Sequence, residues 1–165
     1  MRSTAIWLGM LFIGVLVFTA GVVPAESKHD HAKLPPGPIR DRHELMEAQG
    51  QNAKNINQAF EMGSEGFDTG IIQREAQAIA DSSARIPSLF PKGSLNPNSR
   101  ALPAIWEHWD KFEQLSKQLQ QQAMALSSAA GNGDAEDLHD KAKKMFGTCK
   151  SCHDQFRAPE KGKGK

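Results

Sequence analysis

The sequence has little of what several function classes require. Its 20 Lys and Arg are offset by 19 Asp and Glu, for a formal net charge of +1, and no basic run is long enough to track a phosphate backbone. Nucleic acid is excluded as a partner on that ground. Only two cysteines occur, both in one pentapeptide. A disulfide framework therefore cannot form, and no second Cys pair or spaced His pair completes a four-ligand zinc site. No segment alternates polar and apolar residues for long, which removes strands as the main building unit, and no internal repeat is found. The 14 glycines and 9 prolines are unevenly spread, and long tracts contain neither. That distribution predicts helices separated by Pro- and Gly-rich joints. At 165 residues the chain suits one domain rather than several.

The first 25 residues read as an export signal rather than as part of the fold. Met1-Arg2-Ser3-Thr4 precedes an apolar run from Ala5 to Phe18, and Val23-Pro24-Ala25 places small residues where a signal peptidase cuts. An uncleaved membrane anchor is the competing reading, because low charge continues to Val23 and about 18 apolar residues can span a bilayer. Arg2 is the only charged residue before Glu26, so removal of residues 1–25 takes the formal charge to zero. Residues 26–38 are polar, then proline-rich, and read as a flexible leader. Its His29 and His31 offer too few ligands for a fixed metal site.

Four amphipathic segments follow. In the first, Ile39, Arg42, Met46, Gln49, Ala53, Ile56 and Phe60 recur at alternating three- and four-residue spacing, predicting a helix to about Met62 that Gly63-Ser64-Glu65-Gly66 ends. Asp68 reads as the cap of a second helix with the stripe Ile72, Ala76, Ile79, Ser83 and Ile86, closed by Pro87. Residues 88–102 form a long crossing connection with Leu89 and Phe90 tucked beneath it. A third helix opens near Pro103, carries Ile105, Trp109, Phe112, Leu119 and Leu126, and stops at Gly131-Asn132-Gly133. Asp134 caps the fourth, with Glu136 and Asp137 at the positive end of its dipole and the stripe Leu138, Ala142, Met145, Cys149, Cys152 and Phe156. Four such helices joined by two short turns and one crossing loop make an all-α, antiparallel four-helix bundle spanning residues 39–158. Residues 159–165 read as a disordered tail, whose lysines join Lys150 and Arg157 in a basic end of the chain.

The chemistry is concentrated at Cys149-Lys150-Ser151-Cys152-His153. A redox Cys-x-x-Cys pair usually sits at a helix N-terminus, which lowers the thiol pKa; this pair lies near a helix C-terminus. On a helix, positions 149, 152 and 153 share one face. Two sulfurs and an imidazole so placed can hold haem c through two thioethers and bind its iron through His153.

These features resemble the class II c-type cytochromes, the cytochrome c prime family, over about Ile39 to Arg157. The resemblance is carried by R-H-E-L-M at 42–46, L-F-P at 89–91, I-W-E-H-W-D-K-F at 105–112 and C-K-S-C-H-D-Q-F-R at 149–157. It implies that the residue four after Arg42, here Met46, lies over the distal face of the haem. In the low-spin His/Met subgroup a methionine at that place binds iron. The same resemblance implies that Arg42 meets a haem propionate or the distal pocket, against the alternative of a solvated surface arginine. For the sixth iron position, His43, His108 and an open site stand as the other candidates. Trp106, Trp109 and Phe112 read as packing residues that wall the pocket rather than as an electron relay.

With Met46 bound, the implied function is an exported, periplasmic one-electron carrier. With an open or labile sixth site it becomes a gas-binding protein for nitric oxide or carbon monoxide. No distal His/Arg pair stands out, so no enzyme is expected. The expected partner is a redox protein, with a second copy of the chain as a further candidate; a membrane enters only if residues 1–25 are retained. Intact mass of the exported protein is expected to show a chain beginning at Glu26. Recovery of residues 1–25 in a membrane fraction would establish the anchor instead.

Overall fold

The computed structural model describes residues 34–61, 68–97, 99–131 and 134–159. The expected signal segment 1–25, nearly all of the leader, Met62, the Gly63–Gly66 turn, Asn132-Gly133 and the tail beyond Pro159 lie outside the described residues.

Helix α1 spans Pro38–Glu61. Pro38 fits a first turn, where its missing N–H is not needed, and Gly37 before it takes φ 139°, a value open to glycine. Arg42, Leu45, Ile56 and Ala59 are buried on one face, while Ile39, Met46, Ala53 and Phe60, seven residues apart, are half-buried along a flank. Helix α2 spans Thr69–Ser83, and the Asp68 side chain caps it by accepting from the Ile71 amide at 2.9 Å. It ends at Ser83, short of the expected Ile86, which is nevertheless buried in the turn before the 3-10 segment Pro87–Leu89. Phe90 is buried and Leu89 packs against the core from a half-buried position.

The third segment departs from expectation. Instead of one helix from Pro103 there is a single turn, α3 at Ala104–Glu107, then a break at His108 (φ −125°, ψ 48°) and the long helix α4 at Trp109–Ala130. The apolar period runs through the break, which is why the sequence does not reveal it. What accompanies the break is a set of contacts at the loop. Trp106 Nε1 donates to the Phe90 carbonyl at 3.0 Å, tying α3 to the crossing connection, while Trp109 on the far side of the break packs on Phe112 at 5.7 Å. Helix α5 spans Ala135–Phe156, capped by Asp134, whose side chain accepts from the Asp137 amide.

Cross-helix contacts fix the directions. Gln49 meets Ser82 and Asn55 meets Glu75; Ser116 bonds the Ser83 carbonyl and Ser127 that of Gln73; Thr148 bonds Gln122, and Phe112 packs on Phe156. In each pair one residue number rises as the other falls, so α1–α2, α2–α4 and α4–α5 are antiparallel neighbours. Ile56, Ile72, Ile79, Ile105, Leu126, Leu138 and Met145 fill the shared core. The crossing loop is pinned to the end of α5 by Leu102 N–H to the Phe156 carbonyl and Ala158 N–H to that of Arg100. The isolated bridge Ala101–Arg157 formed there is the extent of β pairing among the described residues. No helix among them is long and apolar enough to cross a membrane.

Because Leu126 of α4 is fully buried in the core, Leu126→Ala is expected to cost about 2–5 kcal/mol. Chemical denaturation with unchanged far-UV circular dichroism before the transition checks it.

Candidate functional site

Helices α1 and α5 differ from the other neighbouring pairs in having scarcely any backbone contact. Their flanks are bridged by the Phe60 and His139 rings, stacked with centroids 4.2 Å apart. Beside that stack a pocket of about 460 Å³ is lined by Asn57, Phe60, Glu61, His139, Ala142, Lys143 and Phe146. Its lining on α5 runs as far as Phe146, one turn before Cys149.

The core stripe of α5 runs through Leu138, Ala142, Met145, Thr148 and Phe156. Thr148, absent from the sequence-derived stripe, is buried and donates to Gln122 Oε1 at 2.7 Å. Its place in the core turns Cys149 and Cys152 to the flank, where both are free thiols, half-buried and packed against the core. His153 follows on the accessible side. Burial pushes the Cys149 thiol up, and burial followed by repulsion from Cys149 pushes Cys152 up to about 11. Thiols so raised are poor nucleophiles and poor redox centres. Partial burial, and then the charges of Arg157 and Arg100, hold His153 below the usual imidazole range against an opposing pull from Asp154. A neutral imidazole is the form that binds metal.

Register relates these residues to α1. From the Phe60–His139 stack, Met46 is fourteen residues back along α1 and His153 fourteen residues on along α5. The helices are antiparallel, and at 1.5 Å per residue both positions are about 21 Å from the stack. By this count Met46 and His153 come at about the same height along the two helices. Met46 is half-buried on the α1 flank. The alternatives are distributed differently: His43 is half-buried on α1, His108 is exposed at the helix break, Met124 is 50% exposed and Met145 is buried in the core.

Arg42 is not a solvated surface residue. It is 4% exposed, with its guanidinium 4.9 Å from the Phe90 ring centroid. Its Nη1 donates to Ser94 Oγ at 3.0 Å, and its Nη2 donates to the Ser94 carbonyl and Ser99 Oγ at 2.9 Å each. Burial lowers its pKa, but arginine remains charged. Every one of these acceptors is uncharged. A buried cation without an anion among the described residues is costly, and the acidic edge of a haem is the kind of group that offsets it. Two half-buried thiols, a neutral imidazole and a buried unbalanced cation together fit haem c. Arg42's partners were beyond sequence reasoning, because Ser94 and Ser99 stand in a loop more than fifty residues away.

Fold and site define a covalent-haem protein built on a four-helix bundle. The family model described as Cytochrome C' matches residues 37–157. A cytochrome c' of Rhodopseudomonas palustris is 38% identical over 122 residues, 73% of this chain and 81% of its own. A cytochrome c-554 of Cereibacter sphaeroides is 30% identical over 151 residues, 88% of this chain and 96% of its own. The solved structure of the Rhodopseudomonas palustris cytochrome c' superposes with a TM-score of 0.68 at 35% identity, covering 76% of this chain and 99% of that one. The chain belongs to the cytochrome c' family of electron-transfer haem proteins, and its prosthetic group is haem c.

In the haem-free chain the raised pKa of both thiols, about 11 for Cys152, leaves far less thiolate at neutral pH than an ordinary cysteine carries. Iodoacetamide labelling of the folded haem-free chain is expected to be at least tenfold slower than in urea, and to accelerate as pH rises beyond 9. Equal rates in the two solvents would remove the burial argument.

Proposed function

We propose that this protein is a periplasmic one-electron carrier whose haem iron is held between His153 on α5 and Met46 on α1. The observation that supports this reading most is register: counted from the Phe60–His139 stack, the two residues come fourteen positions along antiparallel helices that have scarcely any backbone contact. Cys149 and Cys152 supply the two thioether links, and Arg42, one turn from Met46, offers its buried charge to the haem carboxylates while Ser94 and Ser99 fix its plane. When bound, the haem supplies a one-electron couple at iron. His153 and Met46 would be the chain's two ligands to the iron, and keeping both in either oxidation state would let electron transfer proceed with little rearrangement. Thioether is a soft donor that favours ferrous iron, and His/Met ligation raises the reduction potential accordingly. The protein carries electrons rather than catalysing a reaction, and its partner is a redox protein of the same compartment.

Met46→Ala is expected to convert a low-spin parent that binds carbon monoxide slowly into a high-spin ferrous protein that binds it readily, read by optical spectroscopy. A parent already high-spin and quick to take up carbon monoxide or nitric oxide would make Met46 a packing residue and the protein a gas binder.

A further inference from the structure

Gln49 lies one turn after Met46 and is half-buried. Its Nε2 donates to Ser82 Oγ at 2.9 Å and to Ser83 Oγ at 3.2 Å, both in the last turn of α2. The chemistry of the serines fixes which end of the amide faces them. Ser82 Oγ donates its one proton to backbone carbonyls of its own helix, Ala78 at 2.8 Å and Ile79 at 3.1 Å, and Ser83 Oγ donates to Ile79 at 2.6 Å. Each hydroxyl is then an acceptor toward α1, and only the amide nitrogen can meet it. Ser83, fully buried, also presents its carbonyl to Ser116 Oγ of α4 at 2.8 Å. Gln49 thus ties α1 into a polar ladder that crosses three helices next to the level of Met46.

Leu45, the buried apolar α1 residue beside this level, makes contacts that have no preferred direction. A forked hydrogen bond has one. Arg42 is bonded to the crossing loop rather than to a helix, and Asn55 meets Glu75 of α2 nine residues beyond Met46, so Gln49 is the directional tie to a neighbouring helix within one turn of Met46. Residues three apart on a helix differ by about 60° around its axis, so fixing Gln49 toward α2 sets the direction of Met46. A rotation of α1 by about 20° would move a side-chain tip by roughly 2 Å, given a helix radius of about 5–6 Å with side chains, enough to break a metal–sulfur bond.

We infer that Gln49 is a positioning residue: its bonds to Ser82 and Ser83 set the rotation of α1 and hold Met46 on the iron. The inference rests on the His/Met reading above. It also accounts for an amide at this place, since the serine protons are satisfied within α2 and the bundle does not need Gln49 to fill them.

The test uses the reduced holoprotein and carbon monoxide as the probe, with spin state read optically and thermal unfolding measured in parallel. Gln49→Leu and the double variant Ser82→Ala/Ser83→Ala are each expected to bind carbon monoxide at least tenfold faster than the parent and to gain high-spin character. Ser116→Ala, which removes the α4 rung without touching α1, is expected to unfold at lower temperature with the parent's carbon monoxide rate. If Gln49→Leu does not fold, the serine double variant decides alone. Parental rates in both the Gln49 and the serine variants, alongside a fast Met46→Ala, would overturn the positioning role and leave the ligand in place. Acceleration in Ser116→Ala as large as in Gln49→Leu would overturn it too, as general loosening. A Met46→Ala rate equal to the parent's would remove the ligand reading itself, and the inference with it.

Discussion

Everything in this molecule turns on two helices that meet through side chains near one end and scarcely through their backbones. Three of the four contacts around the bundle are closed by side chains: α1 on α2, α2 on α4 and α4 on α5. The fourth, between the first helix and the last, is lined by half-buried residues from both sides and bridged near one end by two stacked rings. An ordinary bundle closes such a seam with apolar residues, because wet apolar flanks waste stabilisation of about 25 cal/mol per Å². Here the flank of α5 carries two thiols and an imidazole, and that of α1 carries the methionine at the matching level. Under the proposed function that seam holds the haem, and the three closed contacts brace its walls.

Much of this was legible in the sequence, and the reason is locality. A helical stripe is read from neighbours three and four residues away, so Ile72, Ile79, Leu138 and Met145 announced themselves. Cys149, Cys152 and His153 share a face by spacing alone. The break at His108 was not legible, because Ile105, Trp109 and Phe112 keep the apolar period across it and the Trp106–Phe90 bond that accompanies the break is a tertiary contact. Arg42 was ambiguous for the same reason: a charged residue on an apolar stripe reads as surface until its partners across the crossing loop are known. The register of Met46 against His153 also needed the structure, since it depends on where two helices far apart in sequence meet.

Arg42 shows how the crossing loop serves the site. The loop is pinned at one end by backbone bonds to the close of α5, and along its course by the Arg42 guanidinium of α1. One irregular segment therefore spans the mouth of the seam and reaches both helices that border it. Irregular backbone holds its place here because bonds at both borders satisfy it, whereas a free surface loop would leave them to water.

The open seam also makes the protein's topology unusual as a folding problem. Its closed contacts join elements that follow one another along the chain, which costs little chain entropy. The remaining one joins the first helix to the last, across more than a hundred residues of sequence. Axial coordination from both helices would act there as a cross-link, and the chain-entropy model puts a permanent link around a loop of that length at about 4.7 kcal/mol, an upper bound for a bond that can dissociate. Since soft thioether grips ferrous iron more firmly than ferric, such a cross-link tightens on reduction. The electron carried would then also be a stabilising ligand of the fold, and the reduced molecule the harder one to unfold.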